Sequence, residues 1–306
     1  MQNDNANTSV GAMFALMATL LWGSYPLWYA PLKGIDSVDV LAVRVVGSLL
    51  FVLILLALAR NASYADVKTL LRNRRARWVL ACSAAVSGIW WLTYIIGVTH
   101  DMVLEASLGY YISPIFSVLF GFLVFKERPS YVQWFAIALT AAAILNLVHG
   151  YGQTPWIALI IGMCFSLYAA IRKGVAIKPL PGLTIECIFL FPFAVAYFIY
   201  LGMTAGPSFG VETNATQWAV LAIVGLISVL PLWWYTVAAQ NLRMITLAFF
   251  QLIPPTCNFV FAVFLFDEPF TEHHQVTFTL VLAASVIYLL DQANVFGRKA
   301  AMAGEQ

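Results

Sequence analysis

The sequence predicts an all-α membrane protein: ten transmembrane helices arranged as two inverted five-helix repeats around a central cavity. Three observations carry that prediction. Of 306 residues, 62% are hydrophobic and only 10% are charged, whereas a soluble domain carries about 25% charged residues. The apolar residues collect into ten runs, each near the roughly 20 residues a helix needs to cross a bilayer. The fourth and ninth runs also repeat one another without a gap.

So few charged side chains cannot clothe this much apolar surface in water, which excludes a soluble enzyme, a disordered chain and a nucleic-acid binder. The net charge of +2 points to no bulk electrostatic partner. The ten runs are 10–30, 38–59, 78–98, 103–125, 131–149, 155–171, 183–203, 217–239, 246–266 and 275–293. None alternates with period two, so a membrane β-barrel does not fit. In lipid the backbone must satisfy its own hydrogen bonds within each segment, which leaves helices. No basic residue precedes the first run, and that run is too long for a signal-peptide core, so it reads as a retained span. Cys82, Cys164, Cys187 and Cys257 each lie inside an apolar run without CxxC spacing. They read as packing residues rather than disulfide or zinc ligands, and no cofactor or metal is implied.

The connections orient the chain. With ten spans, Arg60, Lys68, Arg72, Arg74, Arg75, Arg77, Lys126, Arg128, Arg172, Lys173, Lys178, Arg243, Arg298 and Lys299 all fall on one side. Of the remaining bases, Lys33 falls on the other side and Arg44 lies within the second span. Basic loops stay cytoplasmic, so both termini are expected inside. Losing or adding one span would scramble this asymmetry.

At an offset of 141, Ile112 aligns with Ile253, Pro114 with Pro255, Phe120 with Phe261, Phe125 with Phe266 and Glu127 with Glu268. A weaker match at an offset of 143 places Tyr25 on Tyr168 and Trp22 on Phe165. The two units are 10–149 and 155–293. Five spans is an odd number, so the second unit enters the membrane the other way round. Inverted repeats of this kind are the architecture of alternating-access carriers, in which one site opens to either face in turn.

Several intramembrane residues are candidates for substrate binding or gating. Arg44 sits about 9 Å into the second span at 1.5 Å per residue. A charge at the bilayer centre costs about 2.5–3.5 kcal/mol on insertion scales, so it should face protein or a wet cavity. Glu105 enters the fourth span from the same side and is the expected partner of Arg44. The alternative is that Arg44 snorkels to the interface. Glu105 fits two readings, stabilisation of its helix N-terminus or binding of a cationic group or proton. Glu186 reads as a first-turn carboxylate of the seventh span. Trp22, Tyr25, Trp90, Tyr94, Tyr110, Tyr168 and Gln251 lie well inside spans. They read either as packing or as a pocket for an amphipathic or cationic organic solute, held by stacking and cation–π contact. Pro26, Pro114 and Pro255, with Pro231 and Pro254, lie within spans and read as hinges or as static bends. His100, His149, His273 and His274 fall at the expected outer rim, where they read as loop residues or pH sensors.

Specific strings carry a family resemblance. Trp22-Gly23-Ser24-Tyr25-Pro26 resembles the WGxxP opening of the drug/metabolite transporter superfamily. The run Leu104-Glu105-Ala106-Ser107-Leu108-Gly109-Tyr110-Tyr111-Ile112-Ser113-Pro114 is similar to the LEASLGYFINP stretch of the RarD branch of the EamA-like permeases. Phe249-Phe250-Gln251 with Pro255-Thr256, and Arg172-Lys173, fit the same branch. The likeness spans roughly residues 10–290. It implies a bacterial inner-membrane permease whose cavity is lined by spans one to four and six to nine, with spans five and ten as supports. It also implies movement of metabolites or drugs, mostly outward. The chain departs from the family at Trp90, where the family has Asn, at Val43, where it often has His, and at Gln240-Asn241, where a pair that usually includes Arg is replaced.

Three function classes remain to be weighed. The first is a secondary carrier of a small organic solute, with possible proton coupling, embedded in the lipid bilayer; within it, export and uptake both fit. The second is an intramembrane enzyme, but HExxH, GxSxG and paired membrane aspartates are absent, so no enzymatic activity is expected. The third is a non-transporting scaffold or receptor, for which only the basic stretch 60–77 speaks. No GxxxxGK[ST] string supplies an ATP site for a primary pump.

Overall fold

A computed structural model describes residues 2–58, 61–126, 128–151, 154–173, 177–204, 206–210, 212–242 and 250–303. Among these residues helices dominate and no strand occurs. Glu127, Phe249, Arg60 and Arg243, used above for repeat, motif and charge, lie outside the described residues, as do 246–249 of the ninth run.

The first run forms α1 (Gln2–Gly23) and α2 (Tyr25–Tyr29), followed by a 3₁₀ turn at Ala30–Leu32. The two parts of this span meet at an angle of 42°. Pro26 stands at that break, where its missing N–H and ring cannot continue a straight ladder. The succeeding helices are α3 (Ser37–Leu58), α4 (Asn61–Arg72), α5 (Arg74–Thr99), α6 (Val103–Phe125), α7 (Tyr131–Tyr151), α8 (Trp156–Lys173), α9 (Pro179–Met203), α10 (Ala215–Asn241), α11 (Ile253–Phe264) and α12 (Glu272–Ala303). Each of the ten apolar runs thus contains helix. Seven helices are long and apolar enough to cross a membrane, eight if the bent first pair is one span; Trp156–Arg172 and Ile253–Phe264 are apolar but shorter.

Local chemistry explains several boundaries. Asn73 caps α5 by accepting the Ala76 N–H at 3.1 Å. Asn214 and Gln217 form a reciprocal capping box at the start of α10. Lys126 ends α6 in the left-handed region at φ 56°. Prolines inside helices free a carbonyl one turn back, and nearby hydroxyls take it up. Pro114 leaves α6 unbroken, and Ser113 Oγ donates to Tyr110 O at 2.8 Å. In α10, Pro231 frees the Ile227 carbonyl, which accepts the Tyr25 hydroxyl at 3.0 Å. Pro255 lies in the first turn of α11, where a proline costs no hydrogen bond.

Helix α4 is a correction to the sequence reading, which treats 60–77 as a connection. Its Val67 is buried, and Leu70 and Leu71 pack against Leu56, Leu80 and Ile185. Only one face is apolar, so the segment has no span-like run to reveal it. Lys178 at the start of α9 donates to Asp66 of α4 at 2.9 Å, which ties the two at the end of the molecule rich in bases.

Contacts between helices follow a pattern. Helix α1 packs on α10 and α11, and α6 packs on α8 and α11. Helix α3 packs on α9 and α10, α5 on α8 and α9, and α7 on α12. At the α3–α10 crossing the backbones touch: a Cβ built on Gly225 would lie 2.1 Å from the Gly47 carbonyl carbon. The largest core cluster runs through the middle of the bundle and includes Tyr25, Tyr29, Leu32, Tyr94, Leu108, Ile112, Ile161 and Val224.

Candidate functional site

Six of the candidate residues converge in that core. Tyr25, Tyr29 and Tyr94 form an edge-to-face triangle, with ring centroids 5.8, 6.1 and 6.1 Å apart. Tyr94 continues to Tyr110 at 5.9 Å, and Tyr110 to Trp90 at 6.2 Å. Trp90 Nε1 donates to the Tyr110 hydroxyl at 3.0 Å. Phe165 and Tyr168 of α8 close the row against Trp90 at 5.1 and 6.2 Å. Four helical elements, α2, α5, α6 and α8, therefore present one continuous aromatic wall. Such edge-to-face pairs add about 0.5–1.5 kcal/mol each beyond their area burial, so the rings support one another.

Arg44 projects into this wall from α3. Its guanidinium carbon lies 4.3 Å from the Trp91 ring and 6.0 and 5.8 Å from those of Tyr25 and Tyr29. The residue is 3% exposed. From sequence, Tyr25 reads either as packing or as part of a pocket for an amphipathic or cationic solute; in the structure the protein's own cation lies over its ring. The expected Arg44–Glu105 pair does not form. Among the described residues Arg44 makes no ion pair, and its buried Nε has no hydrogen-bond partner. Asp39, on the same helix, is engaged elsewhere: it accepts from the Tyr197 hydroxyl at 2.8 Å and the Ser208 N–H at 2.6 Å.

Trp91 and Tyr110 are half-buried, although the residues above and below them on the same helix stripes are buried. For Trp91 these are Ala84, Gly88 and Ile95; for Tyr110 they are Val103, Ala106 and Ser113. Trp22 and Gln251 lie at another side of the cluster, meeting through Tyr235: the Trp22 and Tyr235 rings are 5.4 Å apart, and Gln251 hydrogen-bonds Tyr235.

Glu105 lies away from this wall. It lies in the first turn of its own helix α6, as one reading expected, and its Oε1 also accepts the Ile157 N–H at the start of α8 at 2.8 Å. Glu268 does the same for α6, accepting Val103 N–H at 2.7 Å and Leu104 N–H at 2.8 Å. Burial pushes the Glu268 carboxyl above the usual carboxylate range, against the pull of those two N–H groups. Both carboxylates border a cavity of about 200 Å³ with Leu108, His274 and Phe278. Glu268→Ala leaves two buried N–H groups unpaired. It is expected to cost about 2 kcal/mol, read as a lowered unfolding midpoint of purified protein, with Glu268→Gln recovering part of the loss.

Glu186 also departs from its expected place. Helix α9 begins at Pro179, so Glu186 lies two turns in rather than in the first turn. It is 1% exposed and accepts from Arg172 Nη1 at 2.9 Å, Tyr168 OH at 3.1 Å and Ser83 Oγ. This knot joins α5, α8 and α9 where the aromatic wall ends. Tyr29, Trp91 and Asn258 were missed as site residues. Tyr29 follows Tyr25 by one turn, and Asn258 is a lone amide in an apolar run; those were the available signals.

Comparison with known proteins places the chain among membrane permeases. Residues 9–148 match the EamA-like transporter family. The chain is 33% identical over 292 residues to a protein of Vibrio cholerae named an uncharacterized transporter, covering 95% of each. It is 32% identical to the protein RarD of Escherichia coli, covering 94% of this chain and 96% of that one. A chain of a solved crystal structure, 14% identical, superposes with a TM-score of 0.59 over 92% of this chain and 97% of its own length; that likeness bears on the fold alone.

Proposed function

Because the chain belongs to the RarD branch of the EamA-like permeases, in the drug/metabolite transporter superfamily, and is a multi-pass bacterial membrane transporter, we propose that it moves a small organic solute across the cytoplasmic membrane by alternating access, in the direction of export. Ten spans in two inverted halves, 10–149 and 155–293, would surround a central site walled by Tyr25, Tyr94, Trp90, Tyr110 and Tyr168. Both termini would lie in the cytoplasm.

One observation carries this reading. Exchanging each span of the first half for its counterpart in the second maps the main helix contacts onto one another. The α1–α10 contact becomes α8–α5, α6–α8 becomes α11–α1, and α3–α10 becomes α9–α5. The pairs α3–α9, α6–α11 and α7–α12 map onto themselves, as a two-fold axis requires. Detail follows the same exchange. Ser166 of α8 donates to Ser113 O of α6 at 2.6 Å, and a Cβ on Gly23 of α1 would lie 3.4 Å from Pro254 Cα of α11. The aligned offsets pair Gly23 with Ser166 and Pro254 with Ser113. Two interchangeable halves can trade conformations, and a site between them then changes face.

The test is flux. Proteoliposomes containing the purified protein are loaded with a deproteinised bacterial metabolite extract, and the solutes that leave are identified by mass spectrometry. A defined subset should escape faster than from protein-free vesicles. Identical release profiles from both would refute transport.

A further inference from the structure

Among the described residues Arg44 is an ion buried without a counter-ion, and its surroundings share that shortage. Among the described residues, five buried side-chain atoms lack a hydrogen-bond partner, and four of them are Arg44 Nε, Ser48 Oγ, Tyr29 OH and Asn258 Oδ1. Ser48 is one turn beyond Arg44 on α3. Tyr29 presents its ring to the guanidinium at 5.8 Å. Asn258 of α11 reaches the same triangle by donating to the Tyr94 hydroxyl at 3.3 Å. Buried polar groups are normally paired, and a buried cation without a carboxylate is the costliest exception. Contact with Trp91, Tyr25 and Tyr29 offsets part of that cost but supplies no acceptor for the guanidinium N–H donors.

We infer that the solute bound at this site is a small organic carboxylate, its head group paired with Arg44 and its apolar body laid against Trp90, Trp91 and Tyr110. The guanidinium fork matches a carboxylate with two parallel hydrogen bonds, and the Tyr29 hydroxyl adds a third donor. One negative charge balances one Arg44; a dianionic phosphate would leave a charge unmatched in the core. A cationic head group would face Arg44 at close range in a low dielectric, which repels it. Asn258 Oδ1 is left to accept from an N–H or O–H elsewhere on the solute. The Trp91 ring lies 4.3 Å from the guanidinium carbon, and Tyr110 joins Tyr94 and Trp90 in the adjoining row of rings, which places the body of the solute along those side chains.

This assignment rests on the carrier reading, and its test separates the two. Detergent-purified protein is titrated with phenylacetate, phenylacetamide and phenethylamine, which share a body and differ in head-group charge. The unfolding midpoint is followed, since a ligand that binds only folded protein raises it by mass action. Phenylacetate should raise the midpoint at concentrations where the amide and the amine leave it unchanged. Arg44→Gln should abolish the shift, Arg44→Lys should shrink it, and Tyr29→Phe should weaken it with the fold intact. Without ligand, Arg44→Gln should melt no lower than wild type, because no carboxylate is left behind. Equal shifts for all three compounds, no shift for any, a phenylacetate shift that survives Arg44→Gln, or an Arg44→Gln protein that melts well below wild type would each overturn the assignment. Flux of a cationic solute that ignores Arg44 would sink the carboxylate and leave the carrier standing. A phenylacetate shift without flux of any solute would do the reverse.

Discussion

Gly225→Val is expected to destabilise the protein by about 3 kcal/mol or more, the upper end for overpacking a core. A Cβ at position 225 would fall 2.1 Å from the carbonyl carbon of Gly47, 2.4 Å from Ser48 N and 2.6 Å from Gly47 Cα. All three are backbone atoms, so no rotamer change relieves the clash and α3 must leave α10. The reverse substitution is milder. A Cβ on Gly47 would meet Gly225 Cα at 3.2 Å and its nitrogen at 3.4 Å, which a shift of a few tenths of an ångström accommodates. Gly47→Ala should therefore yield folded protein with a modestly lowered midpoint, while Gly225→Val should give little monodisperse material. Equal behaviour of the two variants in size-exclusion yield and thermal unfolding would show that this crossing is not the tight one. The consequence reaches the site, since Ser48 and Arg44 sit on α3 beside the crossing. Parting the helices there moves the guanidinium from the Trp91 ring.

The sequence was informative where physics acts along the chain and poor where it acts between helices. Hydropathy located all ten apolar runs, and each contains helix, because the length and polarity of a span are local properties. Pro26 marked the break in the first span for the same reason: a missing N–H acts within one turn. Helix α4 was not visible, because its apolar residues Val67, Leu70 and Leu71 are too few to form a run and matter only against Leu80 and Ile185. The partner of Glu105 was misjudged because depth in the membrane can be read from a sequence and azimuth cannot. Arg44 and Glu105 were expected to enter from one side, yet one faces Trp91 and the other the start of α8. Part of the aromatic set was legible, since Tyr25, Tyr94, Tyr110, Trp90 and Tyr168 lie in one row of ring contacts, whereas Trp22 packs on Tyr235 instead. What they contact was not, because the nearest cation is contributed by a different helix.

Arg172→Leu should prove about as damaging as the glycine change, at about 3–5 kcal/mol, the cost of removing one partner from a buried ion pair. Glu186 is 1% exposed. Its bonds to Ser83 and Tyr168 are neutral donors that cannot balance a full charge. Arg172 reaches it by crossing Gly182, where a Cβ would lie 2.3 Å from Nη1, so Gly182→Val should displace the guanidinium and mimic its loss. The decisive measurement is the double variant Arg172→Leu with Glu186→Gln. An uncharged amide retains hydrogen-bonding capacity toward Ser83 and Tyr168 without needing a counter-charge, so the double variant should recover most of the unfolding midpoint lost by Arg172→Leu alone. That recovery distinguishes an uncompensated charge from lost packing of the long Arg172 side chain, which the second substitution cannot restore. The knot also closes the row of rings that begins at Tyr25. With the buried charge removed from both partners, the junction of α5, α8 and α9 is held by weaker neutral bonds. If opening of that end limits turnover, the double variant should release solute faster than wild type while folding nearly as well; a slower rate would make the ion pair part of the binding path rather than its latch.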